Sequence, residues 1–210
     1  LVGYWALDFY NSTGIYDNST NNRFATFKGS LGTSKITTGQ YGKTLDFDGN
    51  GDYLDTSQEI VFSQNDSFTV EAWVYTRSVS GAKHILGTTT STNEYINLYR
   101  SGGDAIFRIV GDNGAGLSTV TAVNNLTANT WYHIVGVRDV SSDKIKIYVN
   151  GINQANTTDG TTARISPILR VGAYLPAGST SWDGFIDEVR IHNRTLSNQE
   201  INASFNNKLY

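Results

Sequence analysis

Apolar and polar residues alternate with a period of two over most of the chain. In Ser67–Thr76, SFTVEAWVYT, Phe68, Val70, Ala72 and Val74 fall on one face and Thr69, Glu71, Trp73 and Tyr75 on the other, which is the pattern of a β-strand. The same reading predicts strands over Lys43–Leu54, Lys83–Thr88, Tyr95–Arg100, Ala105–Gly111, Ser118–Val123, Trp131–Asp139, Lys144–Asn150, Ile168–Ala173 and Gly184–Asn193. Turn clusters separate them: Gly49-Asn50-Gly51, Ser101-Gly102-Gly103, Asp112-Asn113-Gly114 and Asn150-Gly151. The last suits a tight hairpin, because both residues tolerate positive φ. Short strands at near-even spacing predict an all-β, two-sheet antiparallel sandwich. One helix is expected, at the C-terminus. Ser197 and Glu200 form a capping-box pattern, and Ile201 and Phe205 follow at i,i+4.

Length and charge narrow the class. The chain of 210 residues with 39% hydrophobic content can bury a full core as one domain. No internal repeat or low-complexity linker divides it. No run of 18 apolar residues is present, so no membrane insertion is expected, and residues 1–7 lack the pattern of a signal peptide. A net charge of -3 with 16 scattered Lys and Arg argues against nucleic acid, whose binding needs clustered cations. Cysteine is absent, which excludes disulfides, thiolate catalysis and Cys-type zinc sites. Low charge, abundant Asn, Thr, Ser and Gly, and seven Asn-x-Ser/Thr sequons, at Asn11, Asn18, Asn65, Asn125, Asn156, Asn193 and Asn202, lean towards an extracellular, cell-surface or viral-surface location.

Two strands add detail. Trp131, His133, Val135 and Val137 share one face, and Ile145, Ile147 and Val149 alternate with Lys144, Lys146 and Tyr148. In the last predicted strand a strict alternation puts Phe185, Asp187, Val189 and Ile191 together. Asp187 is then an acid on an apolar, inward-looking face. A buried carboxylate costs several kcal/mol unless it is paired, hydrogen-bonded or bound to metal.

Four ordered segments carry a family resemblance: YGKTLDFDGNGDYLD at Tyr41–Asp55, SFTVEAWVYT at Ser67–Thr76, NTWYHIVGVRD through KIKIYVNG at Asn129–Gly151, and LRVGAY with WDGFIDEVRIHNRTLSNQEI over Leu169–Ile201. Together they resemble the laminin-G-like, pentraxin-related branch of the concanavalin A-like lectin/glucanase superfamily. The resemblance implies a jelly-roll sandwich over the whole chain. It also implies a structural calcium ion tying the last strand to the N-terminal segment, with Asp187 as side-chain ligand. Asp17 and the turn at Asn50 and Gly51 would complete the set, largely through backbone oxygens, which suits the loose oxygen shell of Ca2+. The stretch Asp17–Asn22 lacks the glycines of the family's loop, which puts Asp17 in doubt. The other reading of Asp187 is a metal-free carboxyl that accepts backbone amides or pairs with an Arg.

Catalysis finds little support. Asp46-Phe-Asp48-Gly-Asn50-Gly51 imitates half an EF-hand, but the twelfth position is Ser57, not the bidentate Glu that loop requires. The paired carboxylates of a glycosidase are missing from any one strand: Glu71 stands alone, and Asp187 and Glu188 are adjacent, so they face opposite ways. His84, His133 and His192 share no short spacing, and His133 suits a packed, hydrogen-bonded role. The expected function is non-catalytic binding of a glycan, in the manner of a lectin. The alternative is a protein-interaction or adhesion domain of a cell-surface, appendage or viral-fibre protein, binding a surface protein. A sugar site needs aromatic platforms and a few placed polar groups. The ligand-binding candidates are Asn97, Tyr99 and Arg100 on one strand, and Tyr174 and Trp182 flanking the loop Leu175–Ser181. Glu71 and Trp73 line either the binding face or the core.

Overall fold

The computed structural model describes residues 1–89, 94–111, 116–161, 168–174 and 180–207. The predicted turn at Asp112–Gly114 lies outside these residues, as does most of the loop Leu175–Ser181. In chain order the strands are β1 (Gly3–Trp5), β2 (Gly14–Ile15), β3 (Ala25–Lys28), β4 (Ile36–Thr38), β5 (Lys43–Asp48), β6 (Tyr53–Glu59), β7 (Phe68–Thr76) and β8 (Ala82–Thr89). They continue with β9 (Tyr95–Ser101), β10 (Asp104–Val110), β11 (Leu117–Ala122), β12 (Trp131–Asp139), β13 (Lys144–Val149), β14 (Ile152–Thr158), β15 (Ile168–Val171) and β16 (Asp183–His192). One helix, α1 (Asn198–Phe205), follows.

The strands form two antiparallel sheets. The first runs β14-β13-β12-β7-β16-β5-β4, with β1 paired to β16; the second runs β11-β10-β9-β8-β15-β6-β3-β2. Their inner faces share one core, in which Phe68, Val70, Ala72 and Val74 of β7 meet residues such as Leu98 of β9 and Phe107 of β10. Each such side chain contributes roughly 1.5–3 kcal/mol on burial. This is the expected sandwich. The hairpin between β13 and β14 turns on Asn150 and Gly151, at φ of 51° and 78°. The predicted strand over Lys43–Leu54 is two strands, β5 and β6, because Gly49 and Gly51 both take positive φ between them.

The last strand departs from simple alternation. Its register against β7 shifts between Asp187 and Arg190, and Glu188 has a φ of 54°: a β-bulge, which inserts an extra residue and reverses the faces beyond it. Phe185 and Asp187 therefore lie on the outer face, registered with Tyr75 and Trp73, while Val189 and Ile191 point into the core. Asp187 does not share a face with Val189 and Ile191, as strict alternation requires. It is buried all the same, because the segment at Gly39–Tyr41 covers it. A Cβ at residue 39 would sit 2.4 Å from Asp187 Oδ2, so only glycine permits that approach.

Part of the outer face of the first sheet is covered by α1. Ser197 and Glu200 form the capping box, and Ile201 packs with Val135, Val137, Tyr148 and Leu196 in a second apolar cluster. Phe205 stacks on Trp73 with ring centroids 5.5 Å apart. Trp73 and Glu71 thus belong to a covered layer beneath the helix, not to an open face.

Candidate binding groove

Strand β9 presents every second residue outwards, as a pleated strand must. Ile96 and Leu98 enter the core; Tyr95, Asn97, Tyr99 and Ser101 line a groove of about 520 Å³ on the outer face of the second sheet. Ala82 and His84 of β8, Ile106 and Arg108 of β10, and Tyr174 just after β15 complete its walls. The volume lies within the range of small-ligand sites, roughly 300–1,000 Å³.

The rings form a column. His84 stacks between Tyr99, at 5.0 Å and 21°, and Tyr174, at 5.3 Å and 26°. Tyr95 meets Tyr174 edge-on at 5.4 Å, and the Arg108 guanidinium carbon lies 5.6 Å from the Tyr99 ring centroid at the other end. Residue 87 must be glycine for Tyr174 to sit there, since a Cβ would lie 2.7 Å from both Ala173 O and Tyr174 Cα. Burial, with the nearby Arg108 charge adding to it, pushes His84 down to about 4 despite its hydrogen bond with the Thr180 backbone. The imidazole is therefore neutral at pH 7. Burial pushes the Tyr99 and Tyr174 phenols up, so both remain O–H donors.

Two buried polar atoms in this groove, Asn97 Oδ1 and His84 Nδ1, have no hydrogen-bond partner among the described residues. Both atoms are closed to solvent, so each is a cost of about 1–3 kcal/mol to the fold and not an open partner for a ligand. No Asp or Glu is among the described lining residues. The paired carboxylates needed to hydrolyse a glycoside are thus missing from the groove's walls.

Of the ligand-binding candidates, the structure brings Asn97, Tyr99 and Tyr174 together here and removes two. Trp182 is fully buried, its Nε1 donating to Tyr75 O and Phe185 O at 3.2 and 3.1 Å; it is a core residue. Arg100 is fully buried as well, because it follows Tyr99 on the strand and points inwards. Its Nε donates to Thr76 Oγ1, its Nη1 donates to the carbonyls of Ser80 and Gly81, and its guanidinium lies over Trp182. His84, Tyr95 and Arg108 escaped the sequence reading. Alternation gives Tyr95 the same face as Asn97, but only cross-strand register places His84 and Arg108 beside them.

The calcium ligands do not converge. Asp17 is saturated: Oδ1 accepts from Tyr4 N and Ser19 N, and Oδ2 from Ser19 Oγ and Arg23 N, all within 2.8–2.9 Å. It organises the N-terminal loop. The turn at Asn50 and Gly51 follows Asp48, which is registered with Asp183, four strand residues or about 13 Å from Asp187. Asp187 itself accepts from Tyr41 N, at 3.0 Å, and its Oδ1 has no partner among the described residues. Burial pushes its carboxyl up to about 8. Among the described residues no cluster of three His, Cys, Asp or Glu is placed to hold a metal ion. The four residues therefore do not fit a shared calcium site.

A second group of aromatics lies on the outer face of the first sheet, beyond the reach of α1. Trp131, Tyr75 and Phe185 occupy one register across β12, β7 and β16, each half-buried. Tyr75 is 5.8 Å from Trp131 and 5.2 Å from Phe185, and Arg77 lies over Phe185.

Residues 48–202 match the Laminin_G_3 model of the concanavalin A-like lectin/glucanases superfamily. The chain belongs to this family. Domain 4 of AbnA, an extracellular GH43 arabinanase from Geobacillus stearothermophilus solved in complex with arabinotriose, is similar at TM-score 0.76 and 17% identity, over 96% of each chain. The binding domain of Paraclostridial Mosquitocidal Protein 1 is similar at TM-score 0.75 and 19% identity, over 99% of this laminin-G-like chain and 52% of that one. For the botulinum neurotoxin serotype G binding domain the values are 0.71 and 16%, over 97% and 50%. The chain spans about half the length of these toxin domains. At such identities the likeness is one of fold. Comparison with curated protein sequences gives no match. Among the described residues no helix is long and apolar enough to cross a membrane.

Proposed function

We propose that this laminin-G-like domain is a non-catalytic carbohydrate-binding module that takes a saccharide in the groove of the second sheet. The observation that carries the reading is the Tyr99–His84–Tyr174 column lining an open groove with the Arg108 guanidinium at one end. The edges of the stacked rings supply apolar contact to a sugar; the tyrosine hydroxyls and the Arg108 guanidinium supply directed partners for its oxygens. The arabinanase domain bound to arabinotriose supports a glycan on this fold, and its extracellular parent supports an extracellular or cell-surface setting. A groove walled without carboxylates supports binding over hydrolysis.

The test is a glycan array followed by titration calorimetry on the hits. Tyr174→Ala should weaken binding about tenfold, as truncation of a central aromatic contact typically costs more than 1 kcal/mol. Tyr99→Ala should cost a similar factor. Hits indifferent to both changes would place the ligand elsewhere.

A second reading, docking of a surface protein, has its own observation in the half-buried Trp131–Tyr75–Phe185 row. It predicts that Trp131→Ala abolishes partner binding and leaves glycan binding intact.

A further inference from the structure

We infer that the groove selects a carboxylated saccharide, a uronate or a sialate, and that Arg108 is the residue that reads the carboxylate; the inference rests on the groove being the glycan site. Arg108 lies on β10, registered with Asn97 of β9 on one side and Thr119 of β11 on the other, so it rises from the same face as the column. Its Nε donates to Thr119 Oγ1 at 3.2 Å, and its guanidinium carbon stands 5.6 Å from the Tyr99 ring centroid. Those two contacts fix the plane of the group and leave Nη1 and Nη2 without a hydrogen bond or ion pair to any described residue.

Among the described arginines that freedom is peculiar to Arg108. Every other described arginine reaches a carboxylate or a main-chain carbonyl, as expected for a cation held against protein. Arg108 is half-buried in a groove with no acid among its described lining residues. With the imidazole of His84 neutral, it is the one formal charge on those walls. A planar fork of donors, oriented by stacking and by a hydroxyl, complements a planar carboxylate with two parallel hydrogen bonds. A lysine in its place would offer a point charge without the plane. A purely neutral sugar would leave the guanidinium uncompensated while burying more of it, which opposes binding.

The size of the effect follows from the bond type. Hydrogen bonds to charged groups contribute more than neutral ones, enough for about 10- to 100-fold in affinity. The experiment uses the whole chain against immobilised and soluble oligogalacturonate and its methyl ester, 3′-sialyllactose and lactose, together with a broad array of neutral glycans. Methyl esterification keeps the shape of the sugar and removes its charge. The expected result is binding at least tenfold tighter to an acidic member than to its neutral counterpart. Which pair shows the difference distinguishes uronate from sialate. Arg108→Gln should abolish that preference, Arg108→Lys should retain part of it, and raising the salt concentration should weaken acidic ligands selectively. Both variants should melt as the parent does, since only one hydrogen bond is lost. Binding to neutral glycans that Arg108→Gln leaves unchanged, and that Tyr174→Ala still weakens, overturns the inference and leaves the groove reading standing. No glycan binding at all, or binding indifferent to Tyr174→Ala, overturns both.

Discussion

Replacing Glu71 with alanine is expected to lower unfolding free energy at pH 7 by about 3–5 kcal/mol, the cost of removing one partner from a buried charge network. In a domain of this size that is a fall in melting temperature on the order of 10 °C. Glu71 is fully buried under α1. Oε2 accepts from His133 Nε2 at 3.1 Å and Ser204 Oγ at 2.8 Å, while Oε1 accepts from His192 Nε2 at 3.1 Å, with Arg190 Nη1 at 4.0 Å. Because a carboxylate only accepts, both imidazoles must carry their proton on Nε2. Burial by itself would raise the Glu71 carboxyl. The hydrogen bonds from the two histidines, aided by the Arg190 charge, overcome it and hold the group well below the usual carboxylate range. A depressed folded-state value stabilises the fold above the unfolded pKa, and that stabilisation is lost as the pH falls through the folded one. The deficit of Glu71→Ala should therefore be full at pH 7 and shrink in strong acid. Glu71→Gln keeps the shape but must point an N–H at one of its donors, so it should recover only part of the loss. Glu200→Ala is the control. It removes an exposed pair with Arg194 and half of a capping box, worth about 1 kcal/mol. Denaturant titration of the three variants at pH 7 and pH 3 checks the order.

The contrast between the two sheets explains which parts of the molecule the residues alone disclose. Strands β7 and β13 are readable because the pattern of Val, Ile and Phe names the inner face without help; β12 is not, because its Val135 and Val137 lie on the outer face beneath α1 while Tyr132 and Ile134 enter the core. Strand β16 is not readable in that way. The bulge at Asp187–Arg190 is a property of pairing, and no residue type in IDEVR announces it. The short strands β1 to β4 run two to four residues, too few for a period to show. The groove is half legible: alternation puts Asn97 and Tyr99 on one face of β9, but it equally allows Arg100 to look like a neighbour of Tyr99 when it lies on the other side of the sheet. Trp182 misleads for a related reason. An aromatic beside a loop resembles a platform, and only the position of its indole N–H, bonded to two carbonyls in the core, shows that it packs. His84 and Arg108 are cross-strand neighbours more than ten residues from the nearest site candidate on their side of the groove or separated from it by a turn. Their contribution depends on the β8–β9–β10 register.

Asp187→Asn should make the protein more stable at pH 7.5, which inverts the outcome expected if this residue were a calcium ligand. The carboxyl lies under Gly39–Tyr41 with one hydrogen bond and an unpartnered Oδ1. Burial, helped by the neighbouring Glu188 charge and opposed by the Tyr41 amide, pushes it up to about 8. A folded-state value above the unfolded one means that between roughly pH 4 and pH 8 the native protein holds a proton that the unfolded chain releases. Stability is then complete below pH 4, declines as the pH rises towards 8, and levels off beyond. The slope has a ceiling of about 1.4 kcal/mol per pH unit for one group. Asparagine imitates the neutral acid in shape, keeps an oxygen for Tyr41 N–H, and cannot ionise. Relative to the parent it should gain on the order of 2–4 kcal/mol at pH 7.5 and nothing measurable at pH 4, with the crossover visible in melting curves taken at half-unit steps. A bound calcium ion would require the opposite: an ionised carboxylate, a parent protein whose melting temperature falls on addition of chelator, and an Asn variant that is less stable and no longer responds. Asp17 is saturated by four donors within its own segment and the Asn50–Gly51 turn lies beside Asp183, so neither joins Asp187 in such a site. Its burial is a cost that the fold carries near neutral pH, and removing the charge should recover it.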